Sequence, residues 1–221
     1  MGEVNKRAGD ESKGPKRIVA EGYDAVAERY LTWSAAIPDA SRVRYTQTLL
    51  DGLPPSAAVL ELGCGAGIPT TQALAARFVV TGVDISARQI GLAHANVPTA
   101  TFIQSDMTAL DFPPDSFDGV AAFFSLIHVP RAEQAPLLGH IAYWLRPGGL
   151  FVATMGVNDT EGDVEADWLG APMYFSHYDA GANRRMVEAA GLRIVSAREE
   201  TQEEDGQPVT FLWIVAEKRS S

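Results

Sequence analysis

Three glycines and the acid that follows them are the residues of this sequence best suited to hold a nucleoside. Gly63, Gly65 and Gly67 alternate with small residues between two apolar runs, and Asp84 ends the second run. A turn without side chains can adopt positive φ angles and lets a ligand lie against backbone amides. A carboxylate at the end of the neighbouring strand can accept hydrogen bonds from both hydroxyls of a ribose. The pattern therefore predicts a site for a nucleoside-containing ligand.

The spacing of the glycines restricts the kind of nucleoside. A dinucleotide fingerprint, G-x-G-x-x-G, would need a glycine at Ile68 or Thr70. A phosphate-binding P-loop needs a lysine after its last glycine, and the sequence has none between Lys16 and Lys218. The turn is instead preceded by Glu61, and a nearby acid favours a cationic ligand over a phosphate.

The motif ELGCGAG at residues 61–67, together with Asp84 and Asp106, resembles the class I S-adenosylmethionine-dependent methyltransferases. The resemblance implies S-adenosylmethionine as cofactor and S-adenosylhomocysteine as product, with the turn around the methionine half. It implies that Asp84 holds the ribose and that Asp106 accepts from the adenine amine, with Met107 covering the ring. The alternative for Asp106 is a cap of its loop. The cofactor-binding residues predicted on this basis are Tyr23, Glu61, Gly63, Cys64, Gly65, Gly67, Asp84, Ile85, Asp106, Met107 and Phe124.

His128 is the candidate catalytic residue. It lies in the segment SLIHVP, directly after the apolar run that ends at Phe124. Ligands of open α/β sheets bind beyond the carboxyl ends of strands, and an imidazole of near-neutral pKa could take a proton from the acceptor. The alternatives are that His128 only shapes the pocket, or that His177 is the base. No cluster of Cys, His and acids is spaced for a metal, so we expect metal-free, in-line methyl transfer.

Residues 18–52 are expected to form a helical lid. Tyr23, Tyr30 and Trp33 recur at helical spacing. In the family that the chain resembles, a similar YDxxAxxY segment folds over the cofactor, and its tyrosines can reach the methionine carboxylate or the acceptor. The alternative is that these side chains only pack the helix against the sheet.

An acidic insertion at residues 156–178 breaks the regular alternation of strands and helices. It has few β-branched residues but several aromatic ones, which could wall an acceptor pocket over the same sheet edge. The alternative is a hydrophobic plug that closes the core. The substrate-binding residues predicted from the lid and the insertion are Tyr30, Trp33, Trp168, Tyr174 and His177.

The elements that must position these residues follow from the apolar runs. Strands are predicted at 57–62, 78–83, 100–104, 117–124, 150–154 and 208–217, with a further strand after Gly191 and helices between them. The resemblance implies an α/β fold with a Rossmann-like, doubly wound, seven-stranded sheet, mostly parallel with the last strand antiparallel. Residues 1–17 lack apolar periodicity and predict a flexible tail, followed by a single methyltransferase domain at 18–221.

The composition bounds the possible partners. The 221 residues include 18 lysines and arginines against 28 acids, a formal charge of −10, which repels nucleic acids and anionic lipids. No apolar run approaches the roughly 20 residues of a membrane helix, and no signal peptide is evident. We expect a cytoplasmic protein with a small-molecule acceptor and neither nucleic-acid nor membrane partners. The single cysteine, Cys64, is expected to pack within the turn rather than act as a nucleophile.

The sequence therefore predicts an S-adenosylmethionine-dependent methyltransferase that methylates an O, N or C nucleophile of a small molecule, a secondary metabolite. Two alternatives stay open. One is a methyltransferase for protein or RNA, and the other is an S-adenosylmethionine-binding module without turnover. The sequence leaves the acceptor, the methylated atom and the oligomeric state undetermined.

Overall fold

The computed structural model describes residues 14–219, whose nine strands form a seven-stranded sheet and a separate two-stranded hairpin. The strands of the large sheet are β1 (Ala58–Leu62), β2 (Val79–Asp84), β3 (Thr101–Gln104), β4 (Phe117–Ala122), β5 (Leu145–Met155), β8 (Leu192–Glu204) and β9 (Gln207–Lys218). The hairpin consists of β6 (Thr160–Trp168) and β7 (Ala171–His177).

The sheet has the order β3-β2-β1-β4-β5-β9-β8. Strands β1 to β5 pair in parallel, and β9 runs antiparallel to both of its neighbours, β5 and β8. The predicted Rossmann-like sheet with an antiparallel last strand is confirmed. The strand order reverses between β1 and β4, so the carboxyl ends of these two strands border the crevice where ligands of such sheets bind.

Six α-helices accompany the strands in the described part of the chain. They are α1 (Pro15–Ala36), α2 (Ala40–Gly52), α3 (Thr70–Ala75), α4 (Ala87–Asn96), α5 (Arg131–Trp144) and α6 (Ala180–Ala189), with short 3-10 turns at Met107–Ala109 and Leu126–His128. Helix α1 begins at Pro15, so residues 15–17 are helical where the sequence predicted a tail. Residues 1–13 of that predicted tail lie outside the described residues.

The large sheet is buried on both faces because adjacent residues of its central strands enter different cores. In β1, Leu60 and Leu62 join a cluster that includes Leu137 and Ile141 of α5. Val59, directly before Leu60, points to the opposite face and joins a second cluster with residues of α2 and α3. Side chains alternate across a strand, so unbroken apolar runs such as β1 and β4 imply helices on both faces. The result is the three-layered body that fixes the carboxyl edge of the sheet.

Helix α1 packs beside the hairpin and α4 rather than on the large sheet. A Cβ atom at Gly22 would lie 2.6 Å from the carbonyl oxygen of Pro172, which shows how closely α1 approaches β7. Asp24 accepts hydrogen bonds from Ser86 Oγ at 2.6 Å and from the Arg88 amide at 3.0 Å, at the start of α4. These contacts hold α1 across the carboxyl edge of the sheet.

The hairpin β6–β7 occupies most of the segment in which the sequence showed only a break in the alternation. Most residues of β6 are exposed, so no buried face imposes a period of two on its sequence. Strand β7 buries Ala171, Met173 and Tyr174, and Met173 and Tyr174 cluster with Val19 of α1. The insertion is therefore a structured element that supports α1.

Candidate functional site

The glycine turn between β1 and α3 has the left-handed backbone that its sequence suggested. Gly63, Gly65 and Gly67 have φ angles of 76°, 53° and 78°. A side chain at Gly63 would collide with Ser125, and one at Gly67 would press on α4. A Cβ at Gly65 would meet only one atom within 4 Å, so the turn is open there. A ligand can approach the backbone at this point.

Asp84 fixes the shape of the turn from the end of β2. Its two carboxylate oxygens accept hydrogen bonds from the amides of Gly65 and Ser86, each at 2.9 Å. Burial raises the pKa of Asp84 to about 6, against the opposing effect of these hydrogen bonds. Each carboxylate oxygen has a second lone pair, so Asp84 can accept further hydrogen bonds from a ligand.

Glu61 lies buried behind the same turn. Thr71 of α3 donates a hydrogen bond from its hydroxyl to Glu61 Oε2 at 2.5 Å. Burial raises the pKa of Glu61 to about 7, although this hydrogen bond and the charge of Arg42 both lower it. Cys64 is buried as well, and burial raises the pKa of its thiol well above the ordinary value. A protonated, buried thiol agrees with the expected packing role.

Asp106 is engaged by Lys16, a residue of the predicted tail. The ammonium lies 2.6 Å from Asp106 Oδ2 and also contacts Glu133. The backbone amide and the hydroxyl of Thr108 donate to the two Asp106 oxygens at 2.9 Å. Burial opposes ionisation, but the bonds from Lys16 and Thr108 outweigh it and lower the pKa of Asp106. The start of α1 is therefore tied to the loop after β3.

Two neighbouring cavities open at the carboxyl edge of the sheet. The first cavity is bordered by the glycine turn, the ends of β2 and β3, and α1. Of the residues predicted to bind the cofactor, Gly67 does not line it, because it faces α4. The predicted residues that do line it are Tyr23, Glu61, Gly63, Cys64, Gly65, Asp84, Ile85, Asp106, Met107 and Phe124.

The second cavity has a volume of about 410 Å³ and lies between α1, the hairpin β6–β7 and the adjoining ends of β8 and β9. Four of the residues predicted to contact substrate line it, namely Tyr30, Trp33, Trp168 and His177. Tyr174 lines neither cavity. Its ring is buried against Gly162, and only its backbone carbonyl turns toward the site, as an acceptor for His128.

Six residues line both cavities and form what we call the shared wall. A group passing from one cavity to the other must pass these side chains. The residues of the shared wall are Tyr23, Tyr30, Ser34, Arg42, Phe124 and His128.

His128 is buried in the shared wall with both ring nitrogens engaged. Nδ1 lies 2.8 Å from the carbonyl oxygen of Tyr174, and Nε2 lies 2.9 Å from the hydroxyl of Tyr23. A carbonyl can only accept, so Nδ1 carries the proton and Nε2 accepts from Tyr23. Burial lowers the pKa of His128 to about 4, although the bond to Tyr174 raises it. The near-neutral pKa expected from the sequence is therefore wrong, because the side chain is desolvated.

His177, the alternative base, stands farther out. Its Nδ1 lies 2.6 Å from the carbonyl oxygen of Asn158, and its ring packs on Gly156. It lines the second cavity but not the shared wall. The hydrogen bond to Asn158 holds the ring against the loop that follows β5.

Arg42, in the shared wall, is a residue that sequence reasoning missed. Its Nε donates to Asp39 Oδ2 at 2.9 Å, its guanidinium lies 4.7 Å from the centre of the Phe124 ring, and it hydrogen-bonds Tyr30. Burial opposes its charge, but Tyr30 and Asp39 outweigh that effect and raise the pKa of Arg42. Nothing in the sequence around α2 separates it from Arg44, the exposed arginine of the same helix.

The described residues contain neither a metal-binding cluster nor a membrane-spanning helix. None of their Cys, His, Asp and Glu side chains gather into a group that could hold a metal ion. None of the helices at residues 14–219 combines the length and the apolar character needed to cross a membrane.

Similarity to known proteins agrees with this geometry. A family model described as a methyltransferase domain matches residues 59–149. The 2-methyl-6-phytyl-1,4-hydroquinone methyltransferase of Synechocystis sp. is 30% identical over 171 residues, which cover 75% of this chain and 52% of that protein. The chain spans about half the length of the curated relatives it matches.

Two solved structures share the fold over nearly the whole chain. One is the 1,6-didemethyltoxoflavin-N1-methyltransferase of Burkholderia thailandensis, with bound S-adenosylhomocysteine. It has a TM-score of 0.70 and 20% identity, over 96% of this chain and 94% of that one. The other is the [4+2]-cyclase SpnF, with a TM-score of 0.75 and 16% identity, over 94% of this chain and 97% of that one.

Residues 59–149 match a methyltransferase domain, and the sheet order and the glycine turn agree with that match. The chain is similar to S-adenosylmethionine-dependent methyltransferases. Because a cyclase has the same fold, the reaction has to be argued from the site rather than from the fold.

Proposed function

We propose that this protein transfers the methyl group of S-adenosylmethionine to an O, N or C nucleophile of a small molecule, a secondary metabolite. The observation that carries the proposal is the pair of cavities that meet at the shared wall. One cavity contains the glycine turn and the acids at the strand ends, and the other combines aromatic rings with polar and charged side chains. In-line transfer needs donor and acceptor on opposite sides of the moving methyl group, and this arrangement meets that need.

In the first cavity we assign the adenosine half of the cofactor to the acids at the strand ends. Asp84 has free lone pairs for the ribose hydroxyls, while two amides hold it in place. Asp106 and Met107 are assigned to adenine. The adenine amine would then either share the Asp106 carboxylate with the Lys16 ammonium or displace that ammonium from it.

The methionine half is assigned to the glycine turn and the shared wall. Glu61 and Asp84 supply negative charge for the cationic ammonium and sulfonium groups. Arg42 supplies the opposite charge for the carboxylate, since a guanidinium can bind it in a bidentate manner. Helices α1 and α2, which carry Tyr23 and Arg42, would thus act as the lid predicted for residues 18–52.

In the transfer itself, a bond forms between the acceptor nucleophile and the methyl carbon while the carbon–sulfur bond breaks. The electron pair stays on sulfur, which leaves neutral S-adenosylhomocysteine. We assign contact with the reacting atoms to Tyr23, whose oxygen keeps lone pairs to accept a hydrogen bond from the acceptor. The proton that the acceptor loses on methylation goes to solvent. His128 is then a positioning residue that orients the Tyr23 hydroxyl, as in the pocket-shaping alternative raised by the sequence.

The cofactor assignment is tested by calorimetric titration with S-adenosylhomocysteine. Replacing Asp84 by Ala should weaken binding by roughly 1.5 to 3 kcal/mol, because hydrogen bonds to a charged group are lost. Asp111→Ala, a change of the same kind at an exposed acid away from both cavities, should leave the affinity unaltered. Unchanged affinity in a folded Asp84→Ala protein would refute the ribose role.

The class of acceptor is tested with labelled S-adenosylmethionine and fractionated cell extract. Label in small molecules supports the proposal, whereas label in protein or RNA supports the polymer alternative. The formal charge of −10 counts against an RNA substrate. Binding of S-adenosylhomocysteine without any labelled product would instead support a binding module without turnover.

A further inference from the structure

Seven Phe, Tyr and Trp side chains line the second cavity. Its volume of about 410 Å³ suits a molecule of drug-like size. Three elements contribute the rings, namely α1, the hairpin β6–β7 and the strand β9, with one more from the end of β4. The aromatic side chains of the lining are Tyr23, Tyr30, Trp33, Phe124, Trp168, Phe175 and Phe211.

These rings are held in fixed positions by each other. Trp168 lies 5.5 Å from Tyr23, 5.7 Å from Tyr30 and 6.0 Å from Trp33, measured between ring centres. The indole nitrogen of Trp33 donates to both carboxylate oxygens of Asp205, in the turn between β8 and β9. Ring faces attract cations and flat apolar groups, and a preorganised set of rings binds them with less entropy loss.

The charges around the second cavity do not balance. Its lining contains three carboxylates, Asp39, Glu165 and Glu204, and one permanent cation, Arg42. Arg42 is already paired with Asp39. Neither Glu165 nor Glu204 forms an ion pair with any residue in the described range 14–219. The lining therefore presents unpaired negative charge beside aromatic rings.

Glu204 is the carboxylate best placed to act on a ligand. It is half-buried, with Gln202 donating to its Oε1 at 2.6 Å. Its charge is felt by Tyr23 and Tyr30 in the shared wall. Burial, together with repulsion from Asp205 and Asp39, raises the pKa of Glu204, although the hydrogen bond from Gln202 and the charge of Arg42 lower it. A cation placed beside Glu204 would relieve this repulsion.

We infer that the acceptor carries a protonated amine on a flat apolar body, with the ammonium group beside Glu204 and the body among the rings. The inference rests on the proposed function, because it treats the second cavity as the acceptor site. An anionic acceptor would be repelled by the unpaired carboxylates. Arg42 is not available to pair with such an acceptor, because Arg42 is bound to Asp39 and is assigned to the carboxylate of the cofactor.

Three indoles with the same two-carbon side chain, which ends in groups of different charge, test the inference. Tryptamine is cationic, tryptophol is neutral and indole-3-propionate is anionic. Calorimetry with protein saturated in S-adenosylhomocysteine should show tryptamine binding about tenfold more tightly than tryptophol, a typical effect of one partly buried charge pair. Indole-3-propionate should bind more weakly than tryptophol.

A matched pair of variants locates the charge that is responsible. Glu204→Gln should remove most of the preference for tryptamine over tryptophol. Glu203→Gln makes the same change at the exposed neighbour, which does not line the cavity, and should keep the preference. Melting temperatures of both variants confirm that they are folded.

Three results would overturn the inference. These are failure of tryptamine to bind at millimolar concentration, equal or tighter binding of the neutral or anionic indole, and a preference that survives in Glu204→Gln. The titration with S-adenosylhomocysteine comes first and separates the two proposals. If the protein does not bind S-adenosylhomocysteine, the proposed function is refuted. If it binds S-adenosylhomocysteine but does not prefer tryptamine over tryptophol, only the inferred charge of the acceptor is refuted.

Discussion

A buried histidine that donates through one ring nitrogen to a backbone carbonyl has only the other nitrogen with which to act on a neighbour. In His128 that second nitrogen accepts from Tyr23. The Tyr23 hydroxyl is itself protonated at all moderate pH values, because burial raises its pKa well above the ordinary value. The pair is therefore neutral at rest, and its hydrogen bond fixes the direction of the Tyr23 hydroxyl.

We expect nuclear magnetic resonance to find His128 neutral between pH 5 and pH 8, as the tautomer protonated at Nδ1. Its pKa of about 4 follows from burial, and imidazole nitrogen shifts report both tautomer and charge. The chain has four histidines, so a His128→Asn spectrum identifies the signal by its loss.

Replacing Tyr23 by Phe is the companion experiment. It should change the Nε2 shift of His128, through loss of the hydrogen bond, and leave Nδ1 bonded to Tyr174. A His128 titration midpoint near 6.5 in the unmodified protein would contradict the positioning role. It would restore the general base that the sequence suggested.

The site residues that sequence reasoning identified belong to motifs formed by residues close together in the chain. The glycine turn and Asp84 belong to one strand-turn-helix-strand unit, so their spacing carries the signal. Arg42, Lys16 and Glu204 reach the site only through tertiary packing of α2, α1 and the end of β8. The pKa of His128 was misjudged for the same reason, since burial by distant elements sets it.

At the scale of elements, helix α1 decides how the two cavities are closed. It carries Tyr23 and Tyr30 of the shared wall, and it contacts β7 through Gly22. A glycine in the interior of a helix costs about 1 kcal/mol relative to alanine. Its presence here is explained by the short distance to the Pro172 carbonyl and the Met173 side chain.

Replacing Gly22 by Ala should therefore lower the melting temperature in spite of the better helix propensity. The added methyl group would lie 2.6 Å from Pro172 O and push α1 off the hairpin. Since Tyr23 is the next residue, we also expect weaker binding of S-adenosylhomocysteine, by about fivefold or more, in a calorimetric titration.

Gly91→Ala is the matched control for this variant. Gly91 is also a glycine within a helix, α4, and a Cβ there would meet nothing within 4 Å. It should raise stability by about 0.5 to 1 kcal/mol and leave affinity unchanged. If Gly22→Ala behaved like Gly91→Ala, the contact between α1 and β7 would not control the site.

The large sheet was predictable from sequence, and the hairpin was not. Strands such as β1 and β4 are buried on both faces and read as short apolar runs bounded by turns. In β6 the side chains are mostly exposed, and only β7 has a buried set, which packs on α1 rather than on the sheet. Burial of β7 depends on α1, which is distant in sequence, and the exposed residues of β6 show no hydrophobic periodicity, so the sequence contained no signal for the hairpin.

At the scale of the whole molecule, the site places two buried acids in a chain that is already negative. Burial raises the pKa of Glu61 to about 7 and that of Asp84 to about 6. An acid whose pKa is raised in the folded state adds stability below its unfolded pKa, and that stability is lost as pH rises through the folded value. Ionisation of Glu61 and Asp84 should therefore lower the stability of the ligand-free protein between about pH 4 and pH 7. His128, whose pKa burial lowers to about 4, offsets part of that loss below about pH 6.5.

We expect bound S-adenosylhomocysteine to reverse part of this loss. Its ammonium group favours the ionised acids, so its affinity, and with it the rise in melting temperature, should grow from pH 5.5 to pH 7.5. Glu61 alone changes the free energy of unfolding by roughly 3 kcal/mol at most over this pH range. Melting curves across this range, with and without S-adenosylhomocysteine, measure both effects.

Glu61→Gln should flatten both pH dependences, because an amide keeps the hydrogen bond from Thr71 but does not ionise. Asp84 remains in that variant and keeps its own contribution between about pH 4 and pH 6, against the opposing contribution of His128. Glu203→Gln, at an exposed position, should keep the full slope. If Glu61→Gln melted with the same pH dependence as the parent protein, the charge of Glu61 would not be coupled to either folding or cofactor binding.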